Sequence, residues 1–107
     1  MTTAALAALC ITSANAEFYD GNTLFSRLLG SEQQQMLAVG YIAGAADTLM
    51  GITICAPTNI TLSQITDMVK SFLQANPSLR HKTADSIVGH VLSQAWPCEQ
   101  KKKGAGA

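Results

Sequence analysis

The sequence predicts a small compact all-α protein, a bundle of about four to five helices closed by one disulfide. Three observations predict it. In 107 residues, 48% are hydrophobic and 13% charged, which is the composition of one globular domain and not of a disordered chain. Two long segments in the C-terminal half repeat apolar residues at helical spacing, and no segment outside an ambiguous ITIC reads as a strand. The chain also reads as exported, and an exported chain with two remaining cysteines invites a disulfide.

The export signal is residues 1–16, MTTAALAALCITSANA. A short apolar stretch ends in Ala14-Asn15-Ala16, the A-x-A pattern of a secretory cleavage site. No Lys or Arg precedes the apolar part, and an ordinary N-terminal helix is the alternative. Leu9 is too large for a lipoprotein site at Cys10, so Cys10 is expected to leave with the signal. The expected helical domain is residues 17–100, and 101–107 form a flexible basic tail. A chain of about ninety residues buries only a modest core. Cys55 and Cys98 then remain, and joining them would disfavour the unfolded chain by roughly 4 kcal/mol. Two free buried thiols are the other reading.

The first helix follows a turn signal at Asp20-Gly21-Asn22, with Leu24, Leu28 and Phe25 facing inward and Gly30 stopping it. Ser31 can cap the second, from about Glu32 to Ile54, where apolar and small residues occupy almost every side. They include Met36, Val39, Ile42, Ala43, Ala46, Leu49 and Met50, with fraying expected before Pro57. Thr61 and Gln64 fit a capping box for the third. Ile65, Met68, Val69, Phe72 and Leu73 then mark one helix face, and Asn76-Pro77 ends it. The fourth is expected from Pro77 or Ser78 to Trp96, with Ala84, Ile87, Val88, Val91, Leu92 and Ala95 on one face.

The second helix raises a choice between a membrane span and a buried central helix, because a helix apolar all round must be one or the other. Its G-x-x-x-G pair, Gly40 and Gly44, fits both. Asp47 would sit near mid-bilayer at a cost of about 2.5–3.5 kcal/mol, and the third and fourth helices each need an apolar neighbour. No stable membrane span is therefore expected in the mature chain. The glycines are read as permitting close helix packing. Asp47 is read as buried, capping a neighbouring helix or pairing with Arg80 or Arg27, with direct contact to a partner as the other reading.

No catalytic set is found. His81 and His90, nine residues apart on the expected fourth helix, point to opposite sides, so no metal site is expected there. The carboxylates Asp20, Asp47, Asp67 and Asp85 lie in four separate segments. No G-x-S-x-G, GxGxxG or GxxxxGK[ST] occurs, and no cofactor is implied. Formal net charge is zero, and three of the seven Lys/Arg are Lys101, Lys102 and Lys103, leaving a mildly acidic body. Nucleic-acid binding is disfavoured on charge and on the scarcity of aromatics. A small exported helical domain without a catalytic set acts by binding.

The segments FYDGNTL, GYIAGAAD, C-x-P-x-x-I-T-x-x-Q, FLQANPSLRHKTADSIV and AWPC occur in order from Phe18 to Cys98. Together they resemble the type VI secretion amidase immunity (Rap/Tai-type) family. Gly40, Tyr41, Gly44 and Asp47 match its second-helix signature. Cys55, Pro57, Thr61 and Gln64 match the following loop and cap, and Pro77, His81, Ala84, Pro97 and Cys98 match the rest. These are read as mainly fold-determining. Family members often carry a further cysteine in the first helix, where this chain has Leu28 or Leu29. The resemblance implies an all-α periplasmic protein, often a homodimer, that occludes a cell-wall amidase effector and is not itself an enzyme. The candidate contact residues are those of two connections: Ala56, Thr58 and Asn59 in the first, Asn76, Ser78, Arg80, His81 and Lys82 in the second. The competing expectation is a general periplasmic binding or chaperone-like helical module without a toxin partner.

Overall fold

The computed structural model describes residues 18–99. The expected export signal and the basic tail lie outside the described residues. Four α-helices follow one another: α1 Gly21–Leu28, α2 Glu32–Leu49, α3 Leu62–Ala75 and α4 Ala84–Ala95, with a 3-10 turn at Pro77–Leu79. Each of the four packs against the other three. Among the described residues there is no strand, only isolated bridges at 20–83, 50–54 and 54–97.

The expected turn at Asp20-Gly21-Asn22 is the start of α1 itself. Asp20 is the N-cap: its carboxylate accepts from the Thr23 amide at 2.8 Å. That amide bond holds the Asp20 carboxyl below its usual range, against the opposing effect of burial. The cap's contribution is therefore present above the unfolded-state value and lost as pH falls through the folded one. Two further amides at this end, Gly21 and Asn22, donate to the carbonyls of Lys82 and Arg80, both at 2.9 Å. Gly21 is required by this close approach, since a Cβ there would lie 2.8 Å from the Arg80 carbonyl oxygen and 2.6 Å from Ile87.

Both expected caps form. Ser31 with Gln34 and Thr61 with Gln64 each make a full capping box, opening α2 and α3. α2 ends at Leu49, short of the expected Ile54. Gly51, at φ 84, turns the chain, and its amide donates to the Ile54 carbonyl at 2.7 Å. Ile54 is thereby sent into the core, fully buried, and the Cys55 amide donates to the Trp96 carbonyl at 2.8 Å. This alignment brings Cys55 and Cys98 together as a disulfide, with Cα atoms 4.9 Å apart and 43 residues of separation. The staple ties the exit of α2 to the exit of α4.

The fourth helix starts at Ala84, later than expected, because Pro77–Leu79 closes its own short turn and Thr83 is the extended N-cap residue. His81 therefore lies in a connection, and its expected opposition to His90 along one helix does not apply.

The core is Leu24 and Leu28 of α1, Ala38, Ile42 and Ala46 of α2, Ile65, Val69 and Leu73 of α3, Ala84, Ile87, Val88 and Leu92 of α4, and Ile54. A large side chain so enclosed contributes about 1.5–3 kcal/mol. For α1, α3 and α4 this follows the expected stripes, with Phe25, Met68, Phe72 and Val91 half-buried around them, except that Ala95 in the last turn of α4, expected on its inward face, is exposed. α2 is different. Only one narrow face is buried, with Tyr41, Ala45 and Leu49 half-buried beside it. Met36 is 70% exposed and Met50 is also exposed. The helix is not a surrounded axis, since three short neighbours cover one side of an 18-residue helix and no more.

Candidate partner-binding surfaces

The two connections singled out by sequence are both at the surface, and their residues divide by what they already hold. In the first, Thr58 and Asn59 are exposed beside Pro57, whereas Ala56 packs against the core. The Ile60 amide donates to the Pro57 carbonyl at 3.2 Å, so this stretch is a defined turn leading into the Thr61 cap.

In the second, Asn76 donates from Nδ2 to the Phe72 carbonyl at 2.9 Å, satisfying an orphan acceptor at the end of α3. Arg80 donates from Nε to the Leu73 carbonyl at 2.7 Å, and its guanidinium lies 4.2 Å from the centre of the Phe25 ring. Both side chains are engaged within the fold. Ser78, His81 and Lys82 are exposed. His81 is itself oriented, with Nδ1 2.9 Å from the Ser78 carbonyl oxygen. Ser78, His81 and Lys82 are thus presented by a backbone that the amides of Gly21 and Asn22 hold in place.

The expected role of Asp47 is not found. Asp47 is exposed, and no charged residue among the described ones is buried. The two arginines proposed as its partners are occupied elsewhere: Arg80 lies over Phe25, and Arg27 lies 5.1 Å from the Tyr19 ring centre. Tyr19 in turn stacks on Tyr41 at 4.7 Å with the rings within 4° of parallel. Tyr41 thereby anchors α2 to the segment before α1. Burial, together with the nearby charge of Asp85, pushes its hydroxyl above the ordinary tyrosine range.

Nor do the glycines of α2 meet another helix. A Cβ added at Gly40 or Gly44 would have nothing within 4 Å. They face outward on the side that carries Met36, Leu37, Asp47 and Thr48, so this surface is largely apolar with one acid near its end. The signal was present in the sequence. A four-helix chain of this length has too few neighbours to enclose a helix that is apolar on every side.

A second surface was not foreseen. α3, the 3-10 turn and α4 enclose a cleft of about 360 Å³, lined by Phe72, Leu79, Lys82, Ser86, Ile87 and His90. Phe72 and Ile87 were read as core residues, and their outward edges form its wall. The Phe72 ring meets the His90 imidazole edge-on at 5.6 Å. Sequence periodicity places a residue on a face but does not say that two faces leave a gap.

Among the described residues no group of three or more His, Cys, Asp or Glu is placed to hold a metal ion. No described helix is long and apolar enough to cross a membrane. What the fold brings together is contact surface: an outward apolar helix face, two defined connections and one apolar cleft with a basic edge.

A family model described as Rap1a immunity proteins matches residues 2–98. Among curated proteins none matches the chain.

Proposed function

The chain belongs to the Rap1a immunity protein family, and on that footing we propose that it binds and occludes a peptidoglycan amidase delivered by type VI secretion. In this reading the protein acts in the periplasm, where the effector's cell-wall substrate lies, and protects the cell that makes it. The family match carries the proposal. The fold supports it in three ways. A single disulfide suits an oxidising compartment. The connection from Asn76 to Lys82 presents Ser78, His81 and Lys82 on a backbone whose position is fixed by hydrogen bonds, which lowers the ordering cost of binding. The outward face of α2, with Met36 and Leu37, is covered by none of the described residues.

That face is assigned in the same reading to a second copy of the chain. Gly40 and Gly44 lie one turn apart on it and offer bare backbone. A two-fold axis passing the outward face midway between Gly40 and Gly44 would set Gly40 of one copy against Gly44 of the other, giving a self-complementary contact. Met36 and Leu37, exposed on the monomer, would be covered.

The test is co-expression. An amidase effector directed to the periplasm should lyse the cells alone and spare them when this protein is present. The purified pair should form one stoichiometric complex. Lysis that persists with every amidase effector tried, or weak association with many unrelated proteins, would remove the reading in favour of a general binding module.

A further inference from the structure

The cleft between α3 and α4 has a composition that specifies its occupant. Its walls are the Phe72 ring, Leu79 and the outward edge of Ile87. Its polar groups stand at the margin: Lys82 at one end of the connection, and Ser86 and His90 along the exposed side of α4. The Ser86 hydroxyl is already used, donating to the Thr83 carbonyl at 2.7 Å. The Lys82 ammonium and the His90 ring nitrogens make no hydrogen bond within the described fold. At about 360 Å³ the space lies at the small end of ligand sites, the size for one or two large side chains.

We propose that this cleft is the receiving half of the effector interface: it takes one aromatic or large aliphatic side chain from an acidic segment of the amidase. The apolar walls bury the side chain, and Lys82 and His90 meet flanking carboxylates. This rests on the immunity reading and adds to it a direction of insertion. The connection from Asn76 to Lys82 reaches out toward the partner, and the cleft directly behind that connection takes a partner residue in. Charge complementarity selects the occupant. Lys82 is unpaired at the rim, and the one acid of the segment from Asn76 to Ser93, Asp85, instead lines the separate surface beside Tyr41, Gly40 and Gly44. An enclosed apolar anchor with a charged rim is the arrangement in which a few residues dominate affinity, while the rim charge governs encounter and partner choice.

The probe for the cleft is a blocked tripeptide with phenylalanine between two aspartates, titrated into the folded protein and followed by NMR. The Ile87 methyl and His90 ring signals should shift together. A tripeptide with alanine in place of phenylalanine, or with lysines in place of the aspartates, should shift them at least tenfold more weakly. Lys82→Glu with His90→Glu should weaken the aspartate peptide by about tenfold or more and improve the lysine peptide. Lys82→Glu alone should do both to a smaller degree. Both positions are exposed, so an unchanged melting temperature is expected and excludes unfolding as the cause. Equal shifts from acidic and basic peptides, or shifts spread over the whole surface, would overturn the proposal. The effector separates it from the reading beneath it. If the double variant still binds a cognate amidase with unchanged affinity, the cleft is not the receiving site and the immunity reading stands. If the native protein protects against no amidase while the peptide selectivity holds, the immunity reading fails and the cleft's preference remains.

Discussion

α2 and α3 both open with a hydroxyl N-cap and a glutamine three residues on, and in both the box closes fully. Past that point their surroundings diverge. α3 gathers Ile65, Val69 and Leu73 on one side, buries all three, and leaves Ser63, Gln64, Asp67, Ser71 and Gln74 to solvent. α2 buries only Ala38, Ile42 and Ala46, two of them alanine, and turns Met36, Leu37, Gly40 and Gly44 outward. In α3 the apolar residues are accounted for by the fold. In α2 a large part of them is not, and it lies on a face that no described residue covers. The difference teaches how to read such a helix: apolar content beyond what the neighbours can cover points outside the chain.

The sharpest way to break this comparison is to truncate one leucine on each helix. Leu73→Ala, at a fully buried site, should cost about 2–5 kcal/mol. Leu37→Ala, at a residue 55% exposed, should change the stability of the monomer by less than about 0.5 kcal/mol. Urea unfolding of both variants decides it. A loss at Leu37 rivalling that at Leu73 would mean that the outer face of α2 is part of the core.

The glycines come next in size. Gly40→Ala with Gly44→Ala puts methyl groups into open space and removes two flexible residues from a helix interior, so the monomer should gain about 1–2 kcal/mol. If two copies meet at this face, the same change should weaken self-association, measured by sedimentation. Stability and assembly would then move in opposite directions, which no packing role inside the monomer produces. Removing the caps should have smaller and equal effects on the two helices. Ser31→Ala and Thr61→Ala should each cost about 1 kcal/mol in thermal unfolding, because the boxes are alike even though the helices' surroundings are not.

How far the fold was legible follows from where each signal resides. Capping is local, involving residues three apart, and both boxes were visible in the letters. The stripes of α1, α3 and α4 were visible for the same reason: each face needs only its own periodicity. The Cys55–Cys98 pairing followed from the cysteine count once Cys10 was assigned to the expected export signal. The start of α4 was missed because Pro77 and Ser78 are good helix openers, while the carbonyls of Arg80 and Lys82 are drawn to the amides of Asn22 and Gly21, about sixty residues earlier in the chain. The orientation of α2 was missed because its pattern is compatible with burial on any side, and the number of neighbours alone decides how much is covered. Of the candidate contact residues, Arg80 and Asn76 could not be recognised as internal struts from sequence, since their partners are carbonyls that every residue possesses.

Asp47 gives the smallest predicted effect and the most specific. It stands in the last turn of α2, exposed, with no basic residue in that turn. A negative charge there opposes the helix dipole by roughly 0.3–1 kcal/mol, so Asp47→Asn should leave stability unchanged or raise it by a few tenths of a kcal/mol, read from the urea midpoint. A buried, paired carboxylate would behave in the opposite way, with a loss of about 3–5 kcal/mol when one partner is removed, and a loss of that size would restore the internal role. The mild cost at an exposed position has no return within the described fold. Asp47 is the one acid on the outer side of α2 beyond its first turn, so a docking surface there would carry its charge into the interface. Asp47→Lys should therefore leave the monomer's unfolding within about 0.5 kcal/mol of the native value while changing the salt dependence of self-association. If neither stability nor assembly responds, the outer face of α2 is plain solvent surface at that end, and the contact must centre on the glycines and Met36.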